Sequence, residues 1–326
     1  MKPKQRIPFV VEIVVVSIIV FIVVTCFWST RDSRNEGFRS LENDFEHFDV
    51  LSRDSSLESS LESSLESSRE SSRESSRDSS KPRLDSTKTI VAIVINLDKN
   101  PERMLKFSTE YSRSDLSKNI KLHRFEAIEG SKLELSRYVT TKTLNQIHMT
   151  TMTGYRLRHH EMTVGAVGCY LSHVTVMRML LQEASTDVFL IFEDDASIPR
   201  IIGKKIEMAL KDAPVDWDVI VFGYWYGSQG QFKKENTKSK FDRLEAFWGL
   251  HAYLINRRGA RKIVEDYEEN SIRMQIDSNM SVMSKNGLLN VYATKDRIIM
   301  ADSLETNIQR PIKATPGIDP YELTFE

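Results

Sequence analysis

The chain has 326 residues, 28% of them charged, and a formal net charge of -1 at pH 7. That length suits one substantial domain with appendages, and the balanced charge excludes bulk electrostatic attraction for nucleic acid. Its two cysteines, Cys26 and Cys169, stand far apart and exclude a disulfide framework.

The first element is the run Ile7 to Trp28, IPFVVEIVVVSIIVFIVVTCFW. It supplies the ~20 apolar residues that a helix needs to cross a ~30 Å hydrocarbon core. Lys2, Lys4 and Arg6 precede it, whereas Arg31, Asp32, Arg34 and Glu36 follow in a mixed-sign run. The positive-inside bias therefore predicts a cytoplasmic tail at 1–6, a transmembrane signal anchor at 7–28 and the remainder across the membrane. A cleaved signal peptide is the competing reading. Its apolar core usually runs only ~7–15 residues and ends at small residues, which the segment TCFW does not provide.

Residues 29–87 read as a Ser/Glu/Arg-rich disordered stem. From Ser55 to Ser80 the unit is SSLE, SSRE or SSRD repeated every four residues, leaving almost nothing to bury. Leu57, Leu61 and Leu65 would share a helix face, but neither their period nor their number makes a coiled coil. The alternating carboxylates cancel the arginines, so the tract lacks the charge that binds RNA.

The globular part is placed at 88–326. Thr89 to Leu97, TIVAIVINL, has the unbroken β-branched profile of a strand covered on both faces. Asn100 and Pro101 then suit the cap and first turn of a helix. Asp187 to Phe192, Trp217 to Gly223 and Leu250 to Asn256 are further strand candidates, alternating with helical patterns. This alternation predicts an α/β fold with a mostly parallel central sheet.

Ligands of such sheets collect at the carboxyl ends of strands. There the strand VFLIF runs into Glu193, Asp194 and Asp195. Glu193 and Asp195 point the same way by alternation, offering hard oxygen ligands for Mn²⁺ or Mg²⁺ shared with a diphosphate. The same residues also read as an acidic helix cap or a pair of surface ion pairs. A second feature is GAVGCYLSHVTVM, Gly165 to Met177, whose glycines allow close backbone approach. Ser172 and His173 follow one helical turn later. His173 reads either as a hydrogen-bonding partner of a phosphate or sugar hydroxyl, or as a satisfied core histidine.

The joint order of segments resembles glycosyltransferase family 25. VINLDKNPERM carries the family's opening Asn-Leu and downstream Arg as Asn96, Leu97 and Arg103, and RFEAIEG follows at Arg124 to Gly130. MTVGAVGCYLSH is similar to its Gly-Glu-x-Gly-Cys-x-x-Ser-His element, FEDDASI to its Glu-Asp-Asp motif and WDVIVFG to its Trp-Asp strand. AYLINRRGARKIV and MQIDSNM, with Asp277 at its centre, complete the series. Two positions depart from the pattern: Ala166 replaces the Glu of the glycine element, and Gln275 replaces a frequent Pro.

The resemblance implies a GT-A type fold, a UDP-sugar donor carrying galactose or glucose, a divalent cation (Mn²⁺ or Mg²⁺) and inversion at the anomeric carbon. It assigns Glu193 and Asp195 to metal, Asp194 with Asn96, Arg103, Ser172 and His173 to donor binding, and Asp277 together with Asp195 to catalysis. The acceptor is a hydroxyl on protein or glycan. With the anchor, it implies a single-pass type II membrane protein whose catalytic domain is lumenal, in endoplasmic reticulum or Golgi. The sequon Asn279-Met280-Ser281 beside Asp277 reads as an unoccupied chance match.

Overall fold

A computed structural model describes residues 90–156, 161–225, 232–233, 240–295, 298–301 and 313–314. All of them belong to the second of two units, Lys81–Glu326. The expected tail, signal anchor and stem at 1–87 lie outside the described residues, as does most of the segment after Asp302.

The core is an eight-stranded sheet. Its strands in chain order are β1 (Ile90–Asn96), β2 (Leu122–Glu126), β3 (Val188–Glu193), β4 (Val219–Trp225), β5 (Phe232–Lys233), β6 (Phe241–Leu244), β7 (Trp248–Asn256) and β8 (Val291–Thr294). Across the sheet the order is β2-β1-β3-β7-β4-β8-β6-β5. β1 runs parallel to β2 and β3, and β8 runs parallel to β4. β7 lies between β3 and β4 and is antiparallel to both. β6 is also antiparallel to β8. The sheet is therefore mixed, which corrects the expectation of a mostly parallel one. A parallel neighbour needs a crossover, usually helical, to bring the chain back to the same end. No described helix separates β4 from β7, so β7 enters from the opposite end.

Helices α1 (Pro101–Arg113), α2 (Thr141–Thr153), α3 (Val164–Gln182), α4 (Ile202–Asp212), α5 (Arg257–Glu269) and α6 (Ile276–Lys285) accompany the strands. Pro101 opens α1 as expected, but Asn100 makes no side-chain cap bond there. Alternation divides the strands between two layers. Ala92, Val94, Leu190, Phe192, Ile220, Phe222, Ala252 and Leu254 share a cluster with Phe107 and Tyr111 of α1 and Ile202 and Ile206 of α4. The rings of Phe107 and Phe192 stand 5.4 Å apart, within the range of favourable aromatic pairs.

On the other side α3 packs against α5. Thr163 caps α3 by accepting from the Ala166 N–H at 3.1 Å, and Arg257 donates to the Leu180 and Leu181 carbonyls at its far end. Among the described residues α3 is the one helix long and apolar enough to cross a membrane. Val167, Leu171, Val174, Met177 and Leu180 are nevertheless fully buried within the fold, so its apolarity is accounted for by core packing.

Gly168 shows what the glycine element is for. A Cβ on it would meet the Ile128 carbonyl oxygen at 2.3 Å, and one on Gly130 would meet the Val164 carbonyl oxygen at 1.9 Å. Helix and loop are thus in backbone contact, and the close approach is to the protein's own chain.

Candidate functional site

The register of β3 builds the site. Ile95 of β1 lies opposite Glu193, and Phe192 lies opposite Ala252 of β7. One residue further along, Asn96 comes level with Asp194 and His251 with Glu193. The antiparallel course of β7 is what delivers His251 to the carboxyl end of β3.

Alternation then divides the three carboxylates. Asp194 turns toward β1 and α1: Asn96 Nδ2 donates to Asp194 Oδ2 at 2.7 Å, and Arg103 donates to Oδ1 at 2.8 Å. Arg124 fixes Asn96 in turn, donating from Nε to Asn96 Oδ1 at 2.9 Å. Burial pushes the Asp194 carboxyl up, while Asn96 and Arg103 pull it back. With both oxygens engaged, Asp194 ties the first βα turn to the site.

Glu193 and Asp195 face β7. His251 Nδ1 lies 3.3 Å from Glu193 Oε2 and 3.8 Å from Asp195 Oδ1, and His173 Nε2 lies 3.5 Å from Glu193 Oε1. Against burial, which pushes it up, the two histidines hold the Glu193 carboxyl below the ordinary range. Burial and the neighbouring Glu193 charge push Asp195 up to about 6, although His251 and Arg103, whose guanidinium is 3.7 Å away, oppose this. Glu193 in turn raises His251 against the effect of its burial. Asp195 Oδ1 is buried without a hydrogen-bond partner.

A buried carboxylate oxygen left in this condition is normally costly, and a cation removes the cost. One ligand atom from each of Glu193, Asp195 and His251 lies within 4.8 Å of the others. Two carboxylates and an imidazole suit a divalent cation of the Mn²⁺ type, so the donor set fits the expected metal. His251 was absent from the sequence expectation. It sits inside an apolar strand, and only the Glu193 register reveals it; Gly223 makes room for it, since a Cβ there would meet the His251 Cβ at 3.0 Å.

Other expected residues sit differently. Ser172 is fully buried, donates to the Gly168 carbonyl at 2.7 Å and accepts from the Ile128 N–H at 2.8 Å. These bonds hold α3 to the loop after β2. His173 is also fully buried, bonded through Nδ1 to the Tyr253 hydroxyl at 2.8 Å. Its Nε2 faces Glu193 from the opposite side to His251.

Asp277 stands in the first turn of α6. Its Oδ2 accepts from the Gly249 N–H at 2.7 Å and its Oδ1 from the Ser278 N–H at 2.6 Å. Burial pushes its carboxyl up, opposed by those two backbone bonds and reinforced by the charge of Glu193. Asn279 is buried, and its amide donates to Asp266 at 2.8 Å and to the Tyr170 hydroxyl at 3.1 Å. That geometry leaves the sequon closed to a glycan.

The chain belongs to glycosyltransferase family 25. The family described as "Glycosyltransferase family 25 (LPS biosynthesis protein)" matches residues 89–280. A glycosyltransferase 25 family member of Aedes aegypti is 26% identical over 198 residues, covering 59% of this chain and 30% of that protein. Procollagen galactosyltransferase 1-B of Xenopus laevis is 27% identical over 188 residues, covering 53% and 30%. The inactive glycosyltransferase 25 family member 3 of Mus musculus is 23% identical over 177 residues, covering 52% and 28%. The matched part thus spans under a third of each of these relatives.

Proposed function

We propose that this chain is a UDP-sugar-dependent hexosyltransferase of GT-A type. It would move galactose or glucose to a hydroxyl of a protein or glycan acceptor, with inversion. The observation that carries the reading is the cluster of Glu193, Asp195 and His251 at the carboxyl end of β3, with a buried Asp195 oxygen that has no hydrogen-bond partner, in a family 25 chain.

Glu193, Asp195 and His251 would hold Mn²⁺ or Mg²⁺. When bound, the cation neutralises charge on a diphosphate leaving group. Asn96 and Arg103, fixed by Asp194 and Arg124, frame the nucleotide side. His173, steadied by the Tyr253 hydroxyl, keeps Glu193 ionised and oriented.

Asp277 is the proposed base for the acceptor hydroxyl. Burial raises its affinity for a proton, as a base of this kind requires, and the Gly249 and Ser278 N–H groups fix its orientation. Residues 7–28 are proposed as a signal anchor and 29–87 as a stem, with 88–326 forming a lumenal catalytic domain in endoplasmic reticulum or Golgi.

The test is UDP release by the full chain from a panel of UDP-sugars, with Mn²⁺ and with chelator. Metal-dependent release from one donor supports the transferase reading and names the sugar. A relative described as inactive matches at 23% identity, and Ala166 departs from the family pattern. Saturable UDP-sugar binding without turnover, even with acceptors added, favours a non-catalytic binding protein instead.

A further inference from the structure

A second donor set adjoins the first. Cys169 and His173 are four residues apart on α3 and therefore share a face. One ligand atom from each of Cys169, His173 and Glu193 lies within 4.8 Å of the others. His173 is fully buried, and its Nε2 has no hydrogen-bond partner, 3.5 Å from Glu193 Oε1.

The other ring nitrogen is already placed. The Tyr253 hydroxyl lies 2.8 Å from Nδ1, and Tyr253 is fully buried. With a cation bound, Nδ1–H would donate to that hydroxyl and leave the Nε2 lone pair to the cation. A partner that fixes the tautomer in this way is the usual outer support of a metal-binding histidine. The two oxygens of Glu193 are divided between the sets, Oε1 toward His173 and Oε2 toward His251.

We propose that Cys169, His173 and Glu193 form a binding site for a thiophilic divalent cation of the zinc class, adjoining the oxygen-rich set of Asp195 and His251 and sharing Glu193 with it. Thiolate, imidazole and carboxylate are the ligands zinc takes, at about 2.0–2.3 Å, whereas Mg²⁺ and Mn²⁺ favour oxygen. Tetrahedral donors at those lengths stand about 3.5 Å apart, so small side-chain movements close the set. Two dications sharing one carboxylate repel, so zinc at this site opposes occupancy of its neighbour.

The proposal stands on this geometry and not on the transferase reading, and its test needs no turnover. Co²⁺ is titrated into the full chain as a spectroscopic stand-in for zinc. The expected result is a near-ultraviolet thiolate-to-cobalt charge-transfer band that saturates at about one equivalent and is bleached by Zn²⁺. The chain has only two cysteines, so Cys26→Ser should retain the band and Cys169→Ser should lose it.

Asp195→Ala should retain the band, since Asp195 belongs to the other set. His173→Gln should weaken Zn²⁺ binding at least about tenfold. Absence of the band in the wild-type chain, with folding checked by circular dichroism, overturns the proposal without any variant. So does a band that survives Cys169→Ser.

Discussion

Two carboxylate centres lie at opposite ends of the central strands of the same sheet, and they are treated differently. Asp218 precedes β4 and is fully buried. Arg258 donates to its Oδ1 at 2.6 Å, while Lys262 and the Asn290 N–H donate to its Oδ2 at 2.6 and 2.9 Å. Gly259 packs against it so closely that a Cβ would meet the Asp218 carbonyl oxygen at 2.6 Å. At the other end, after β3, Glu193 and Asp195 share His251, and one Asp195 oxygen is left without a hydrogen bond. The first centre is complete within the protein; the second has acceptor capacity that suits a cation.

The difference predicts opposite outcomes for similar truncations. The largest effect is expected at the open centre: Asp195→Ala should lower transfer at least about 10³-fold, as measured by UDP release, with an unfolding midpoint close to that of the wild type. Comparable turnover in the variant would remove Asp195 from the metal set. Asp277→Asn comes next. Loss of a base should lower transfer roughly 10²-fold while equilibrium UDP-sugar affinity, read by calorimetry, changes by less than about threefold. Equal losses of affinity and turnover would show that Asp277 shapes the donor pocket instead.

The closed centre should respond in stability. Asp218→Ala removes a buried carboxylate that accepts from Arg258, Lys262 and the Asn290 N–H and should cost about 2 kcal/mol, discounted because both cations reach solvent, read as a lower urea midpoint, with metal affinity unchanged in the folded fraction. A variant that keeps its stability and loses metal binding would reverse the comparison. The smallest effect is expected for Tyr253→Phe, which removes one buried hydroxyl from His173 Nδ1. A loss of about 1 kcal/mol is anticipated, with a several-fold drop in turnover because Glu193 is held less firmly. Unaltered turnover there would separate His173 from the support of Glu193.

Much of this arrangement was legible in the sequence because local patterns report burial. The apolar runs became β1, β3, β4 and β7, and Pro101 marked the start of α1. Strand alternation correctly separated Asp194 from Glu193 and Asp195. Strand direction was not legible, since a run such as WGLHAYLIN reads equally well either way. From that gap follow both the mistaken parallel sheet and the omission of His251, whose contact with Glu193 exists only in the antiparallel register. Leu122–Glu126 was also passed over as a strand, because LHRFE is half-exposed and carries no apolar run. Ser172 and His173 belong to a motif whose spacing reads equally as packing or ligand contact, and both side chains are fully buried.

In the proposed reading the open centre works through a cation held by Glu193, Asp195 and His251. Its most direct test is UDP release by the full chain from UDP-galactose and UDP-glucose, with Mn²⁺ or chelator, in wild type and His251→Ala. The expected result is turnover of one donor that chelator abolishes, and an apparent Mn²⁺ requirement raised at least about tenfold in His251→Ala. Turnover that persists undiminished in chelator, or the same Mn²⁺ requirement in both proteins, would contradict it.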